Sequence, residues 1–153
     1  MDQSAKFFDF ACRLLARRDY FTEELRQKIT AKGATPEEAA KAIEKLNKFN
    51  YLDDDKVLKK FVAEISAKGK GINYLKQKLY EKGCAALISS KNLTDFYPFE
   101  EELEAAEKAL SKLHDFEKEK LAAKLVSRGF STAVAIEAVK KQKNLQAEEQ
   151  ENS

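Results

Sequence analysis

A nine-residue pattern that recurs three times constrains the fold of this chain more than any other feature. The pattern Leu-x-x-Lys-(Ile/Leu)-x-x-(Lys/Arg)-Gly occupies residues 25–33, 75–83 and 121–129. Its first and fifth positions fall on one face of a helix and can be buried together. The base at the eighth position suits the negative end of the helix dipole, and the glycine that follows is a common left-handed helix stop. Each copy therefore predicts a helix with a defined carboxyl end.

Helical patterns also precede and follow each copy. Residues 35–38, Thr-Pro-Glu-Glu, combine an N-cap, a first-position proline and a capping glutamate. Ser131 can cap a helix after the third copy, whereas residues 84–93 after the middle copy have no proline or acidic pair at their start. We therefore predict a helix on each side of every copy, with a short or irregular third helix in the middle copy.

The predicted fold class is all-α. The chain has 153 residues with only 5 Gly and 2 Pro, and so few helix breakers favour helix over sheet. We predict three tandem three-helix units that contain helix-turn-helix-like pairs and form an elongated array, straight or curved. The predicted units are residues 4–50, 51–97 and 98–144, followed by an acidic, disordered tail at residues 145–153.

Composition and spacing argue against several classes of protein. The charged residues, 35% of the chain, sum to a net charge of only +2. Cys12 and Cys84 lack metal-ligand spacing and are interpreted as packing residues of a reduced, cytoplasmic protein. No signal peptide and no stretch of transmembrane length is found, so no membrane partner is expected. The acidic run Asp53–Asp55 fits a helix N-cap and acidic first turn better than a metal site.

The sequence shows no constellation that would support catalysis. His114 is the one histidine and is interpreted as a helix-end residue. No convergent Ser/His/Asp, Cys/His or carboxylate set is visible. We therefore expect no catalytic residue, no cofactor and no metal, and a protein that acts by binding.

Four segments of the sequence resemble the RecX family of recombinase regulators. Residues 11–25, which include Arg-Leu-Leu-Ala-Arg-Arg-Asp-Tyr, are similar to the opening signature of that family. Residues 51–55, Tyr-Leu-Asp-Asp-Asp, are similar to its junction between units. Residues 70–83 resemble its second unit, and residues 128–131, Arg-Gly-Phe-Ser, resemble its third. The resemblance runs from residue 6 to residue 142.

This resemblance implies a regulator that docks into the helical groove of the RecA recombinase filament on single-stranded DNA, and we expect the protein to be a monomer. It implies inhibition or modulation of ATP hydrolysis, strand exchange and SOS co-protease activity, and so a role in DNA repair and recombination. Direct contact with single-stranded DNA is expected to be weak or to depend on RecA. One alternative is a stand-alone helix-turn-helix-type DNA-binding protein, whose binding would be tight and salt-sensitive without a recombinase. A helical adaptor for another protein is a further alternative.

Twelve basic residues are candidates for partner or DNA contacts. Bases recur at equivalent motif positions, which predicts a row of cations that meets phosphates or an acidic groove. The alternative is a solvated helix surface whose last turn compensates the dipole. Arg17 and Arg18 close the first helix and fit either role. The turn at residues 68–71, Lys-Gly-Lys-Gly, fits a phosphate contact or a linker, but it lacks the upstream glycine and the hydroxyl of a nucleotide-binding loop. The set comprises Arg17, Arg18, Arg26, Lys28, Lys32, Lys68, Lys70, Lys76, Lys78, Lys82, Lys124 and Arg128.

Three tyrosines, Tyr20, Tyr51 and Tyr74, lie near the predicted helix ends. Aromatic side chains at such positions can stack on nucleic-acid bases. They are more typical of a core, where a large apolar surface is buried between helices. We therefore predict that these tyrosines belong to the core.

Overall fold

A computed structural model of the chain describes residues 2–113 and 118–152. These residues form ten helices and no strand, so the all-α prediction is confirmed. His114, interpreted above as a helix-end residue, lies outside the described residues. The helices are, in chain order, α1 (Ser4–Leu15), α2 (Thr22–Ala31), α3 (Pro36–Lys48), α4 (Asp54–Ala67), α5 (Ile72–Glu81), α6 (Ala85–Ser90), α7 (Leu93–Phe96), α8 (Phe99–Ser111), α9 (Lys118–Ser127) and α10 (Thr132–Glu151).

The helix ends follow the sequence signals. The pattern helices α2, α5 and α9 are each followed by their glycine in a left-handed conformation, with φ of 114°, 77° and 92°. At the start of α3 the N–H of Glu38 donates to Thr35 Oγ1 at 3.1 Å, and the N–H of Thr35 donates to Glu38 Oε1 at 2.9 Å. Asp53 Oδ1 accepts the N–H of Lys56 at 3.2 Å, which confirms the N-cap interpretation of this acidic run.

Two helices differ in length from their counterparts. The middle copy is followed by the short helices α6 and α7, which confirms the predicted short or irregular third helix. The last helix, α10, continues to Glu151 through most of the segment expected to be disordered. That segment is rich in Gln, Ala and Glu, which are strong helix formers, so the helix extends without packing support. Among the described residues, no helix is both long enough and apolar enough to cross a membrane.

By packing, the described chain divides into two compact units. The amino-terminal unit comprises Met1–Lys60 and Tyr80–Ala85, and the carboxy-terminal unit comprises Phe61–Leu79 and Ala86–Ser153. In the amino-terminal unit α1 and α2 pack on α3, around a core that includes Phe7, Ala11, Leu25, Ile29, Ile43 and Leu46. In the carboxy-terminal unit α8 and α9 pack on α10, around buried side chains that include Leu103, Leu110, Leu125, Phe130, Val134 and Ala138.

The first junction, inside the amino-terminal unit, joins the start of α2 to the start of α4 and to the segment after α5. The N–H and hydroxyl of Thr22 donate to Asp54 Oδ1 at 2.8 and 3.0 Å. The Nζ of Lys82 lies 3.3 Å from Glu24 Oε2. Cys84 lies two residues after Lys82 and is fully buried, as predicted. The first junction is therefore held mainly by side chains of opposite charge and by polar side chains.

The second junction, inside the carboxy-terminal unit, joins the start of α5 to the loop after α9 by backbone contacts. The N–H of Gly71 donates to the carbonyl of Arg128 at 3.2 Å, and the N–H of Asn73 donates to the carbonyl of Gly129 at 2.8 Å. A Cβ atom on Gly71 would lie 2.3 Å from the Cα of Phe130, so the two backbones meet only because residue 71 is glycine.

A buried carboxylate completes the second junction. Glu102 of α8 is only 3% exposed and accepts three hydrogen bonds. Its donors are the N–H of Ile72 at 3.1 Å, the N–H of Ser131 at 3.0 Å and the Ser131 hydroxyl at 3.1 Å. Close by, the Tyr97 hydroxyl donates to the carbonyl of Lys70 at 2.8 Å. Burial, reinforced by the charge of Glu102, raises the pKa of Tyr97 above its usual value.

Candidate nucleic-acid and partner interface

Two of the predicted cations, Arg18 and Lys82, are engaged by the same carboxylate. The guanidinium of Arg18 lies 3.0 Å from Glu24 Oε2 and 3.6 Å from the centroid of the Tyr20 ring. Lys82 reaches the same carboxylate. Burial opposes the charge on Glu24, but the Arg18 hydrogen bond, the Lys82 charge and the N–H of Phe21 outweigh it and lower the pKa of Glu24. These contacts give Arg18 and Lys82 a role in folding.

Other predicted cations contact side chains that are near them in the sequence. Arg26 pairs with Glu23 one turn earlier, at 3.1 Å. The Nζ atoms of Lys70 and Lys78 each lie 5.3 Å from the centroid of the Tyr74 ring, a cation–π arrangement. Lys124 is half-buried, whereas Lys28 and Lys76 are exposed. Equivalent motif positions therefore have different surroundings.

A groove between α1 and the end of α2 brings two predicted cations together with two that the sequence reasoning missed. We call it the basic groove, and its volume is about 210 Å³. Arg17 and Lys32 were predicted, whereas Lys6 and Arg13 were not. The groove has no carboxylate in its lining, which consists of Lys6, Phe7, Phe10, Arg13, Leu14, Arg17 and Lys32.

The cations of the basic groove have no carboxylate partner in the part of the chain that the structure describes. Lys6, Arg13, Arg17 and Lys32 make no ion pair there, and all four are exposed. Lys28, also exposed and without an ion pair among these residues, lies one turn before Lys32 on α2. The basic groove and its edge thus keep their positive charge available to an external anion.

A larger cleft in the carboxy-terminal unit collects two further predicted cations, Lys68 and Arg128. Its volume is about 460 Å³, and it lies between the end of α4 and one face of α8. Lys108 and Lys112 also line it, but so do two glutamates. One of these, Glu104, lies 3.8 Å from Lys108. The cleft is therefore of mixed charge, unlike the basic groove.

The sequence contains a signal for the basic groove outside the repeated motif. Lys6, Phe10, Arg13 and Arg17 follow a spacing of four, three and four residues, which is the spacing of one face of a helix. The repeated motif lies on α2, α5 and α9 and does not include α1. The place of Lys32 beside this face depends on how α1 packs on α2, which the spacing alone does not give.

The prediction that the three tyrosines lie in the core is correct for Tyr20 and wrong for Tyr51. Tyr20 is buried, with 7% of its surface exposed. Tyr51 is 55% exposed and stacks on Phe49 at 5.6 Å between ring centroids. It directly follows Asn50, whose left-handed φ of 58° turns the chain after α3 and carries Tyr51 out of the core. Tyr74 is half-buried.

Comparison with known proteins extends the likeness seen in the sequence. The family model for the first three-helix domain of RecX matches residues 8–46. The regulatory protein RecX of Salmonella arizonae is 33% identical over 101 residues, or 60% of this chain and 61% of the relative. The protein of the same name from Escherichia coli O7:K1 is 32% identical over the same shares. The match thus spans about three fifths of the length of these curated relatives.

The fold agrees over a longer stretch than the sequence does. The crystal structure of RecX from Lactobacillus salivarius superposes with a TM-score of 0.79, covering 92% of this chain and 96% of that one. Its sequence identity is 20%, so this likeness concerns the fold. The family model, the curated relatives and the shared all-helical fold all support a relationship of this chain to the RecX family.

Proposed function

We propose that this chain regulates recombination by binding the RecA filament on single-stranded DNA along its helical groove. In this proposal it acts as a monomer in the cytoplasm, without catalysis or cofactor. Binding inhibits or modulates ATP hydrolysis, strand exchange and SOS co-protease activity of the filament. The curated relatives carry the name regulatory protein, which supports a regulatory role.

The observation that carries the proposal is the set of cations in the amino-terminal unit that make no ion pair with any residue the structure describes. Arg13, Arg17, Lys28 and Lys32 all lie within residues 8–46, the part matched by the RecX family model. A nucleoprotein filament offers phosphates and acidic protein surface, and exposed cations attract both over several ångströms. Cations already held by carboxylates, such as Arg18, contribute less to such an encounter.

An ATPase assay of RecA on single-stranded DNA tests the proposal. We expect the chain, added in stoichiometric amount, to lower the rate of ATP hydrolysis and strand exchange and to co-sediment with the filament. Unchanged hydrolysis together with absence from the pelleted filament would contradict the proposal. Tight DNA binding with no effect on RecA would favour the stand-alone DNA-binding alternative.

The predicted row of motif lysines is tested in the same assay. Replacing Lys28, Lys78 and Lys124 together by glutamate should weaken co-sedimentation with the filament, because three cations become anions. The matched control replaces Lys59, Lys140 and Lys143, which are exposed lysines outside the repeated motif, by glutamate. Equal loss in both triple variants would mean that net charge, and not the motif positions, governs binding.

A further inference from the structure

We infer that the basic groove between α1 and α2 is a direct binding site for the sugar–phosphate backbone of single-stranded nucleic acid. Lys6, Arg13, Arg17 and Lys32 contact phosphates, and Phe10 provides a surface for a sugar or base. That the nucleic acid is single-stranded is taken from the proposed function, which places this protein on a filament formed on single-stranded DNA. The groove itself supplies the chemistry that recognises phosphate.

The charge of the groove is the first argument. Four cations line it and no carboxylate does. The acidic residues nearest in sequence are engaged or lie elsewhere: Asp2 pairs with Lys41, and Asp9 of α1 is not part of the lining. A phosphate that enters the groove therefore meets positive charge without competition from an internal anion.

The position of Lys6 is the second argument, because helix stability does not explain it. Arg13 lies in the last turn of α1 and Lys32 caps α2, so both favourably face the negative end of a helix dipole. Lys6 lies in the first turn of α1, where a cation faces the positive end of the helix dipole. The carboxylates of Asp2 and Glu38 accept the N–H groups of Ser4 and Gln3 at this helix start, and neither of them lines the groove. A cation that is placed against the dipole and lines the groove favours a binding role.

The spacing and identity of the arginines are the third argument. Arg13 lies in the last turn of α1 and Arg17 lies just beyond the C-cap Ala16, and both line the groove. Both carry planar guanidinium groups, which can donate two parallel hydrogen bonds to one phosphate. Two such groups along one groove can hold successive positions of an extended chain.

The aromatic ring beside the cations favours nucleic acid over an acidic peptide. Phe10 is half-buried, and the Nζ of Lys32 lies 5.3 Å from its ring centroid. Single-strand binding sites combine a cationic track with an aromatic surface on which bases stack. An acidic peptide would use the cations but would gain little from the ring.

The test uses the full chain and a fluorescein-labelled oligothymidylate, without recombinase, followed by fluorescence anisotropy at several salt concentrations. The groove variant carries Lys6→Gln, Arg13→Gln and Arg17→Gln. The control variant carries Lys59→Gln, Lys140→Gln and Lys143→Gln, which removes the same charge from exposed positions outside the groove. Circular dichroism and the thermal midpoint verify that both variants fold.

We expect the groove variant to bind roughly tenfold more weakly or worse at low salt. The slope of log K against log salt should fall by about 2, since each phosphate contact on a single strand contributes about 0.7. The control variant should keep the slope of the parent chain. Phe10→Leu should weaken binding about fivefold, through lost stacking, with the slope unchanged.

Three results would overturn the inference: no oligothymidylate binding by the parent chain at low salt, equal losses in the groove and control variants, or equal competition by polyglutamate. The RecA ATPase assay, run on the same variants, separates this inference from the proposed function. If the groove variant still inhibits RecA and binds the oligonucleotide as well as the control does, the groove inference is wrong and the proposed regulatory function is retained. If the groove variant selectively loses oligonucleotide binding but the parent chain has no effect on RecA, the groove inference is retained and the proposed function is wrong.

Discussion

The two junctions occupy equivalent places in the sequence but are built by different chemistry. In the first junction the base before the motif glycine, Lys82, reaches the residue that precedes the earlier motif, Glu24. In the second junction the corresponding residues are Arg128 and Tyr74, so the position equivalent to Glu24 carries no carboxylate. Instead the backbone of Arg128 accepts a hydrogen bond from Gly71.

The difference teaches that a repeated motif fixes where two segments meet but not what holds them. Ion pairs such as Glu24–Lys82 are screened by salt and depend on pH. The second junction relies on backbone hydrogen bonds and on the buried Glu102, which solvent ions reach poorly. The first junction should therefore respond to solution conditions and the second to changes in shape. Substitutions at the two junctions test this contrast, beginning with the largest expected effect.

Glu102→Ala should give the largest effect, a loss of about 4 kcal/mol in the free energy of unfolding. It leaves the N–H groups of Ile72 and Ser131 and one hydroxyl without their acceptor. Urea denaturation measures the loss. The control is Glu101→Ala on the exposed side of α8, for which a change within about 0.5 kcal/mol is expected. Equal effects of the two would mean that the carboxylate does not hold the second junction.

Gly71→Ala should follow, at about 3 kcal/mol, because its Cβ would press against the backbone of Phe130 and Gly129. The control is Gly33→Ala, where a Cβ meets open space and only the left-handed φ is strained, a cost of about 1 to 2 kcal/mol. Urea midpoints compare them. If Gly33→Ala proved as damaging as Gly71→Ala, the close approach of backbones would not be the reason.

Glu24→Gln should cost about 1 kcal/mol at neutral pH, a value reduced by the solvent exposure of Arg18 and Lys82. The folded pKa of Glu24 is lowered below its ordinary 4.5, so its contribution is present above pH 4.5 and is lost as the pH falls through the folded value. Unfolding curves from pH 6 to pH 3 should converge for parent and variant. Curves that stay parallel would show that the charge on Glu24 is unimportant.

Lys28→Glu should give the smallest effect, within about 0.5 kcal/mol, because Lys28 is exposed and makes no ion pair among the described residues. Lys82→Glu, at the other end of the motif, should cost more, about 1 to 2 kcal/mol, since it places a second anion beside Glu24. Thermal unfolding at low and high salt measures both. A salt-independent loss at Lys82 would contradict the electrostatic account of the first junction.

Local features of the fold could be predicted from the sequence because they depend on near neighbours. The left-handed Gly33, the capping box at Thr35 and the short helix after residue 84 each follow from a few adjacent residues. Helix type and helix ends were therefore predictable. The exposure of Tyr51 was not, because the turn before it has a left-handed Asn50, and asparagine adopts that conformation less regularly than glycine does.

The candidate site was less predictable, because the availability of a cation depends on distant residues. Glu24 and Lys82 are 58 positions apart, so no local pattern shows that they pair. Twelve bases looked alike in the sequence, yet Arg18 is held by a carboxylate and Arg17 lines an open groove. The spacing of the bases predicts that they share one face of α1. That Lys32 lies beside this face depends on how α1 packs on α2.

The reactivity of the buried Cys84 thiol can be used to measure local opening of the amino-terminal unit. Burial, aided by the charge of Glu24, raises the pKa of its thiol to about 11, so the reactive thiolate is scarce at neutral pH. A thiol reagent can modify Cys84 quickly only when the segment beside Lys82 opens. The labelling rate of Cys84 therefore reports how often this segment opens away from the rest of the amino-terminal unit.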